Sequence, residues 1–187
     1  RLGLRSDVKR MPIFGLGCVA GAAGIARAAD TVRAWPGEVA ALFSVELCSL
    51  TLQSEDLSIP NLIASGLFGD GAAAVVLVGD EHPAAARATG PRVVATRSVF
   101  YPDSERVMGW DISERGFQIV LSADVPKVVE EHLRADVDAF LGERGLTRGD
   151  IASDVRRSME LWVGCIAGAL DEREFRTLLA ESGFEDI

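Results

Sequence analysis

Apolar positions recur at helical spacing across residues 19–34. Ile25, Ala28, Ala29 and Val32 share one face, and Arg27 and Asp30 fall off it. The first half of that segment, VAGAAGIA, carries almost no polar side chain. Small residues on every side predict a helix packed closely all round. Trp35-Pro36-Gly37 ends it. Residues 39–45 and 72–78 are apolar on consecutive positions, the pattern of strands buried on both faces. Between them, residues 57–67 predict a short helix, and Gly69-Asp70-Gly71 a tight turn. Residues 80–91 read as an Ala- and Pro-rich loop, and 93–100 and 116–121 as strands. Asp124 and Pro126 open a further helix that runs to about residue 140, and Gly142 and Gly145 close it. Beyond Asp150 the texture becomes polar and basic, and a last helix carries Phe175, Leu178 and Leu179. Strands mixed with helices and buried on both faces predict a layered α/β architecture.

The totals set bounds on this picture. A chain of 187 residues, 48% hydrophobic and 25% charged, can bury one ordinary core. A net charge of −9 argues against nucleic acid or an anionic membrane as the main partner. The first residue is Arg1 rather than Met, so the chain is expected to start inside a longer reading frame or to have lost upstream sequence. The uncharged run over residues 11–26 falls short of the roughly 20 residues a membrane span needs and is rich in Gly and Ala. It is internal, with no basic segment after Met11, so it does not read as a signal peptide. GLGC only faintly matches a lipoprotein cleavage site, because Gly15 stands where a large apolar residue is usual. Cys18, Cys48 and Cys165 are too few and too scattered for a disulfide framework or a zinc pattern. Free thiols in a reducing cytoplasm are expected, with no metal and no cofactor.

Cys18 falls where a strand is expected to run into a helix. Unpaired N–H groups at a helix start favour a thiolate, by up to ~2 kcal/mol. Gly15, Gly17 and Gly21 let backbone and substrate approach. The same local features fit a small cysteine buried in a tight helix contact.

The stretch RMPIFGLGCVAGAAGIARAAD resembles the active-site segment of type III polyketide synthases, the chalcone and stilbene synthase-like enzymes. The likeness continues through SVELCSLTLQ, LIASGLFGDGAAAVVLVG and GWDISERGFQIVLSADVP, and so covers residues 1 to about 150. It implies a partial thiolase-like layered αβαβα fold, with a mixed sheet and buried helices, usually in a homodimer. It implies acyl-coenzyme A and malonyl-coenzyme A as substrates, and Cys18 as the nucleophile that takes the acyl group as a thioester. Phe68 matches a gatekeeper between catalytic centre and elongation cavity. Cys48 and Thr51 match cavity-wall positions, although Cys48 reads equally well as a core cysteine. A second gatekeeper phenylalanine is expected near Ile119, where this chain has none.

The family pairs its cysteine with a His and an Asn, in a His-Pro-Gly-Gly-like motif and a Gly-Asn-rich loop. Neither motif is in this sequence. The histidines, His82 and His132, read as surface residues. Losing a single oxyanion donor typically costs ~10²–10³ in rate. The chain is therefore expected to be incomplete and inactive alone, unable to carry out decarboxylative condensation.

The hexamer GCVAGA at residues 17–22 has a near copy, GCIAGA, at residues 164–169. The likeness stops at the hexamer, so the two are not an internal repeat. Residues from about Ser153 resemble the C-terminal region of arsenite S-adenosylmethionine methyltransferases, in which the cysteine matched by Cys165 is one of several arsenic-binding thiolates. The expected division is therefore residues 1–151 as a partial thiolase-like domain and 152–187 as an unrelated helical tail. A non-catalytic gene-fusion remnant, or an arsenical binder through Cys165, is the alternative to an acyltransferase. Missing neighbouring strands are expected to leave sheet edges and the segments AAAVVLV and VAALFSV open to aggregation.

Overall fold

The computed structural model describes residues 3–151. The tail, with Cys165 and the boundary expected after residue 151, lies outside the described residues. The chain divides into two compact units. Among the described residues, the first holds residues 3–100 together with Gly109–Ile119, and the second holds Tyr101–Met108 and residues 120–151.

In the first unit a single 3₁₀ turn, Gly17–Val19, leads straight into helix α1, Ala20–Ala34. Strand β1, Val39–Glu46, returns from it and pairs antiparallel with β2, Gly71–Val78. The register is one-to-one over eight residues, from Val39 opposite Val78 to Glu46 opposite Gly71. Residues directly opposite in an antiparallel pair share a face. Ala40, Leu42 and Ser44 lie on the face toward α1, where the helix approaches through glycines. A β-carbon on Gly24 would stand 2.7 Å from Leu42 Cδ1, and one on Gly21 would stand 3.9 Å from Ser44 Oγ. Ala29, on the same helix, is buried. Small residues along α1 are thus explained by the sheet beneath it.

The opposite face of the ribbon corrects the expectation of strands buried on both sides. Phe43, Val45 and Val76 are exposed there. The pattern of β1 alternates strictly over residues 39–45, because one helix covers one face. The root of the ribbon is pinched shut at Gly79, whose N–H donates to the Glu38 carbonyl, while Glu81 donates to that of Pro36.

Helix α2, Ile59–Leu67, starts two residues later than the sequence predicts, because Ser58 caps it. The Ser58 hydroxyl accepts from the Asn61 N–H, and Pro60 sits in the first turn. The tight turn expected at Gly69-Asp70-Gly71 does not form, and Gly71 already belongs to β2. A hairpin of β3, Met108–Ser113, and β4, Gly116–Leu121, follows. Of these only β4 is anticipated by the sequence pattern. The strand expected over residues 93–100 does not form. The carbonyls of Val93 and Val94 accept from the Arg33 guanidinium rather than from a neighbouring strand. Nor is there a strand at 12–16 before Cys18; among the described residues no strand pairs with that apolar run, and Phe14 is 88% exposed.

In the second unit, helix α3, Val125–Gly142, follows Asp124. Asp124 holds the N-cap position, but its carboxylate accepts from the Ser122 hydroxyl instead of capping the helix. Tyr101 donates its hydroxyl to Asp136 and stacks on His132, with ring centroids 4.6 Å apart. The Asp136 carboxylate pushes the Tyr101 phenol above its ordinary value, chiefly by that hydrogen bond. Gly145, at φ +66°, turns the chain after the helix, and Arg148 reaches back to Asp138 at 2.6 Å. No helix among the described residues is long and apolar enough to cross a membrane.

Candidate active site

Cys18 occupies the centre of the 3₁₀ turn at the mouth of α1. The turn closes through the Val19 N–H donating to Leu16 and the Ala20 N–H donating to Gly17. Two glycines set the approach. Gly15 has φ +86° and Gly17 φ +51°, in the left-handed region where an L side chain is strained. With open space around both, the constraint there is backbone conformation rather than crowding. Cys18 is a free, exposed thiol.

Cys48 opens a second 3₁₀ turn, Cys48–Thr51, beyond the end of β1. Thr51 donates its hydroxyl to the Cys48 carbonyl at 2.9 Å and closes that turn on itself. Ser49 ties the turn to the run before β2. Its N–H and its hydroxyl both donate to the Asp70 carboxylate, at 2.7 and 2.6 Å. These two bonds hold the Asp70 carboxyl below the usual carboxylate range, the hydroxyl bond contributing most. Burial pushes the Cys48 thiol up, and the Glu46 carboxylate beside it adds to the effect. Asp70 and Cys18 lie close enough to Cys48 to add smaller electrostatic contributions in the same direction.

Two amides fasten the remaining walls. Asn61 is 6% exposed and donates to the carbonyls of Gln53 and Asp56, at 3.0 and 2.7 Å. Gln53 in turn donates to the carbonyls of Arg115 and Phe117, which anchors the β3–β4 hairpin. Trp110 on β3 meets Phe117 on β4 edge to face, with centroids 6.0 Å apart.

These fasteners surround a hollow of about 240 Å³. Cys48, Thr51, Phe68 and Ile119 all line it, together with Trp110 and Asn61 among others. Residues spread over seventy positions of sequence are thus brought to one space. Thiol, hydroxyl and carboxylate groups face aromatic and aliphatic ones across it, a mixed lining that suits a small molecule with polar and apolar parts. Cys18 is not on its wall. A larger polar hollow of about 560 Å³, bounded by Leu52, Gln53, Glu55, Asp56, Arg115 and Gln118, contains none of Cys18, Cys48, Thr51, Phe68 and Ile119.

The histidines are engaged elsewhere. His82 accepts from the Ala84 N–H through Nδ1, and His132 stacks on Tyr101. Among the described residues no group of three or more His, Cys, Asp or Glu side chains could hold a metal ion. The arsenic ligand expected at Cys165 lies outside the described residues. Asn61, Trp110 and the Ser49–Asp70 pair are absent from the sequence-based expectations. Met108, Trp110 and Ile112 alternate, and that period of two could have disclosed β3. The role of Asn61 carries no such signal, since it depends on two carbonyls of a folded loop.

Residues 1–81 match the family described as chalcone and stilbene synthases, N-terminal domain. The chain is 52% identical over 154 residues to a 1,3,6,8-tetrahydroxynaphthalene synthase of Streptomyces peucetius subsp. caesius, covering 82% of this chain and 40% of that protein. It is 35% identical to a 3,5-dihydroxyphenylacetyl-CoA synthase of Streptomyces toyocaensis, over 80% of this chain and 39% of that one. The crystal structure of 1,3,6,8-tetrahydroxynaphthalene synthase from Streptomyces coelicolor A3(2), a bacterial type III polyketide synthase, superposes with a TM-score of 0.73 at 35% identity. That match covers 80% of this chain and 41% of the solved one. The chain spans about two-fifths of the length of the relatives it matches.

Proposed function

Since the chain belongs, over about 150 residues, to the type III polyketide synthases and shares their thiolase-like fold, we propose that it supplies the acyl-loading half of such an enzyme. In this reading Cys18 attacks the thioester carbonyl of an acyl-coenzyme A, expels coenzyme A and holds the acyl group. The hollow lined by Cys48, Thr51, Phe68 and Ile119 takes up the chain grown from malonyl-coenzyme A. The observation that carries the reading is the convergence of those four side chains on one space in the unit that also bears Cys18. Relatives named as tetrahydroxynaphthalene synthases favour an aromatic polyhydroxylated product for the whole protein.

Loading and extension separate chemically. Loading needs a nucleophile and a leaving thiol. Decarboxylative extension also needs donors that stabilise an enolate oxygen, and the loss of one such donor costs ~10²–10³ in rate. His82 and His132 have other partners. The chain alone therefore acylates at Cys18 and does not extend.

Intact-mass analysis of the chain after incubation with an acyl-coenzyme A tests this. The expected result is one acyl adduct, cleaved by hydroxylamine and absent from Cys18→Ser. Adduct formation that survives Cys18→Ser sinks the assignment of the nucleophile. Product released with malonyl-coenzyme A sinks the claim that extension is missing. The second reading, a non-catalytic remnant, is favoured by the exposed approach to Cys18, with Phe14 88% accessible. It predicts no adduct at all.

A further inference from the structure

We propose that Cys18 and Cys48 form a reversible disulfide when a hydroperoxide reaches the folded chain, a redox-sensitive pair built from the thiol at the start of α1 and the thiol beyond the end of β1. The packing of α1 on β1 carries the inference. Along the shared face Gly24 meets Leu42, and one turn earlier Gly21 meets Ser44. As helix numbers fall by three, strand numbers rise by two, so the elements run in opposite directions. One further turn back along the helix is Cys18, and the strand end facing it is Glu46, two residues before Cys48. Cys18 is also the smallest of the influences that push the Cys48 thiol up, in keeping with that placement. Both are free thiols. Cys18 is exposed to an oxidant and Cys48 is half-buried, which divides them into an attacked thiol and a resolving one. The left-handed glycines at 15 and 17, with nothing crowding them, leave the Cys18 turn room to adjust.

The chemistry balances with one hydroperoxide. The Cys18 sulfur attacks the peroxide oxygen, the O–O bond breaks, and water or an alcohol leaves as Cys18 becomes a sulfenic acid. The Cys48 sulfur then attacks the Cys18 sulfur. The S–O bond breaks, the S–S bond forms, and a second water leaves. The Glu46 carboxylate, two residues before Cys48 and among the groups that push its thiol up, is placed to receive its proton. Each sulfur gives up one electron and the two peroxide oxygens are reduced. Sealing the pair removes the nucleophile and narrows the hollow at Cys48, so the loading step stops until a thiol reductant reopens it. The inference rests on Cys18 as the accessible thiol of the proposed loading step, but its test does not require acyl transfer.

Treating the full chain with stoichiometric hydrogen peroxide, natively and in urea, followed by alkylation and non-reducing peptide mapping, decides it. The expected product is a Cys18–Cys48 linked peptide, reversed by dithiothreitol and formed at least about ten-fold faster natively than in urea, where only chain flexibility brings the ends together. In Cys48→Ser the same treatment should carry Cys18 on to the sulfinic acid, because the resolving thiol is gone. Equal native and denatured rates, a Cys18–Cys165 link, or Cys18 sulfinate beside a fully alkylatable Cys48 in the unsubstituted chain each overturns the proposal. A failed acylation assay alongside a fast native Cys18–Cys48 link rejects the loading reaction and leaves the pair standing.

Discussion

The two faces of the β1–β2 ribbon are both largely apolar, the bare one more so, and opposite in circumstance. Under α1, Leu42 and its row meet a helix thinned to glycine at Gly21 and Gly24. On the other side Phe43, Val45 and Val76 stand in the open. The hydrophobic sequence of the strands records two coverings, and the described residues provide one. Apolar patterning thus states what a surface is built to meet, while burial depends on whether the partner is there. An uncharged, flat strand face with an open edge is also a site for aggregation.

The sharpest way to break this comparison is to break the ribbon. A β-carbon on Gly79 would lie 2.2 Å from the Pro36 carbonyl oxygen, a backbone atom that cannot step aside. Gly79→Ala is expected to cost more than about 3 kcal/mol, in the range of severe strain, and urea melts should show a broad or absent transition. Next comes the hollow beside the ribbon. Asn61→Ala leaves the Gln53 and Asp56 carbonyls without their donor and should lower stability by about 2 kcal/mol, read from the urea midpoint at unchanged slope. The comparison itself is then sharpened by a matched pair. Leu42→Ala, on the covered face, should cost about 1–2 kcal/mol, less than a fully buried leucine. Phe43→Ser, on the bare face, should change stability by less than about 0.5 kcal/mol and reduce light scattering on concentration. Equal costs for the two would show that both faces are covered in solution.

The smallest effect expected is a pH dependence at Asp70. Its carboxyl is held low by Ser49, so the latch contributes fully above the ordinary carboxylate value of 3.8 and is lost as pH falls through the lowered folded value. Acid titration followed by near-UV circular dichroism should show Trp110, across the hollow, changing over that range in the unsubstituted chain. Asp70→Asn should flatten the change.

Much of the scaffold was legible because it is local. The helix over 20–34, the two paired strands and the helix over 125–142 each follow from periodicity and punctuation within their own segments. The failures were non-local. Residues 93–100 have strand composition, but Arg33 takes the Val93 and Val94 carbonyls, a competition that no window of sequence displays. Residues 39–45 and 72–78 form strands as their composition predicts, but among the described residues a helix covers one side only. At the candidate site, family resemblance named four wall positions that lie together in space, yet not the amides and the Ser49–Asp70 bonds that hold the walls. Such fasteners are single residues without a period.

The ribbon's register also bears on how the chain is made. Glu46 must wait for Gly71, and Val39 for Val78, before any rung can close. By then α1 has long since left the ribosome and can coil by itself. A nascent Phe43 therefore has no strand partner until Ala74 emerges, and for that interval the edge that β2 will take stays open.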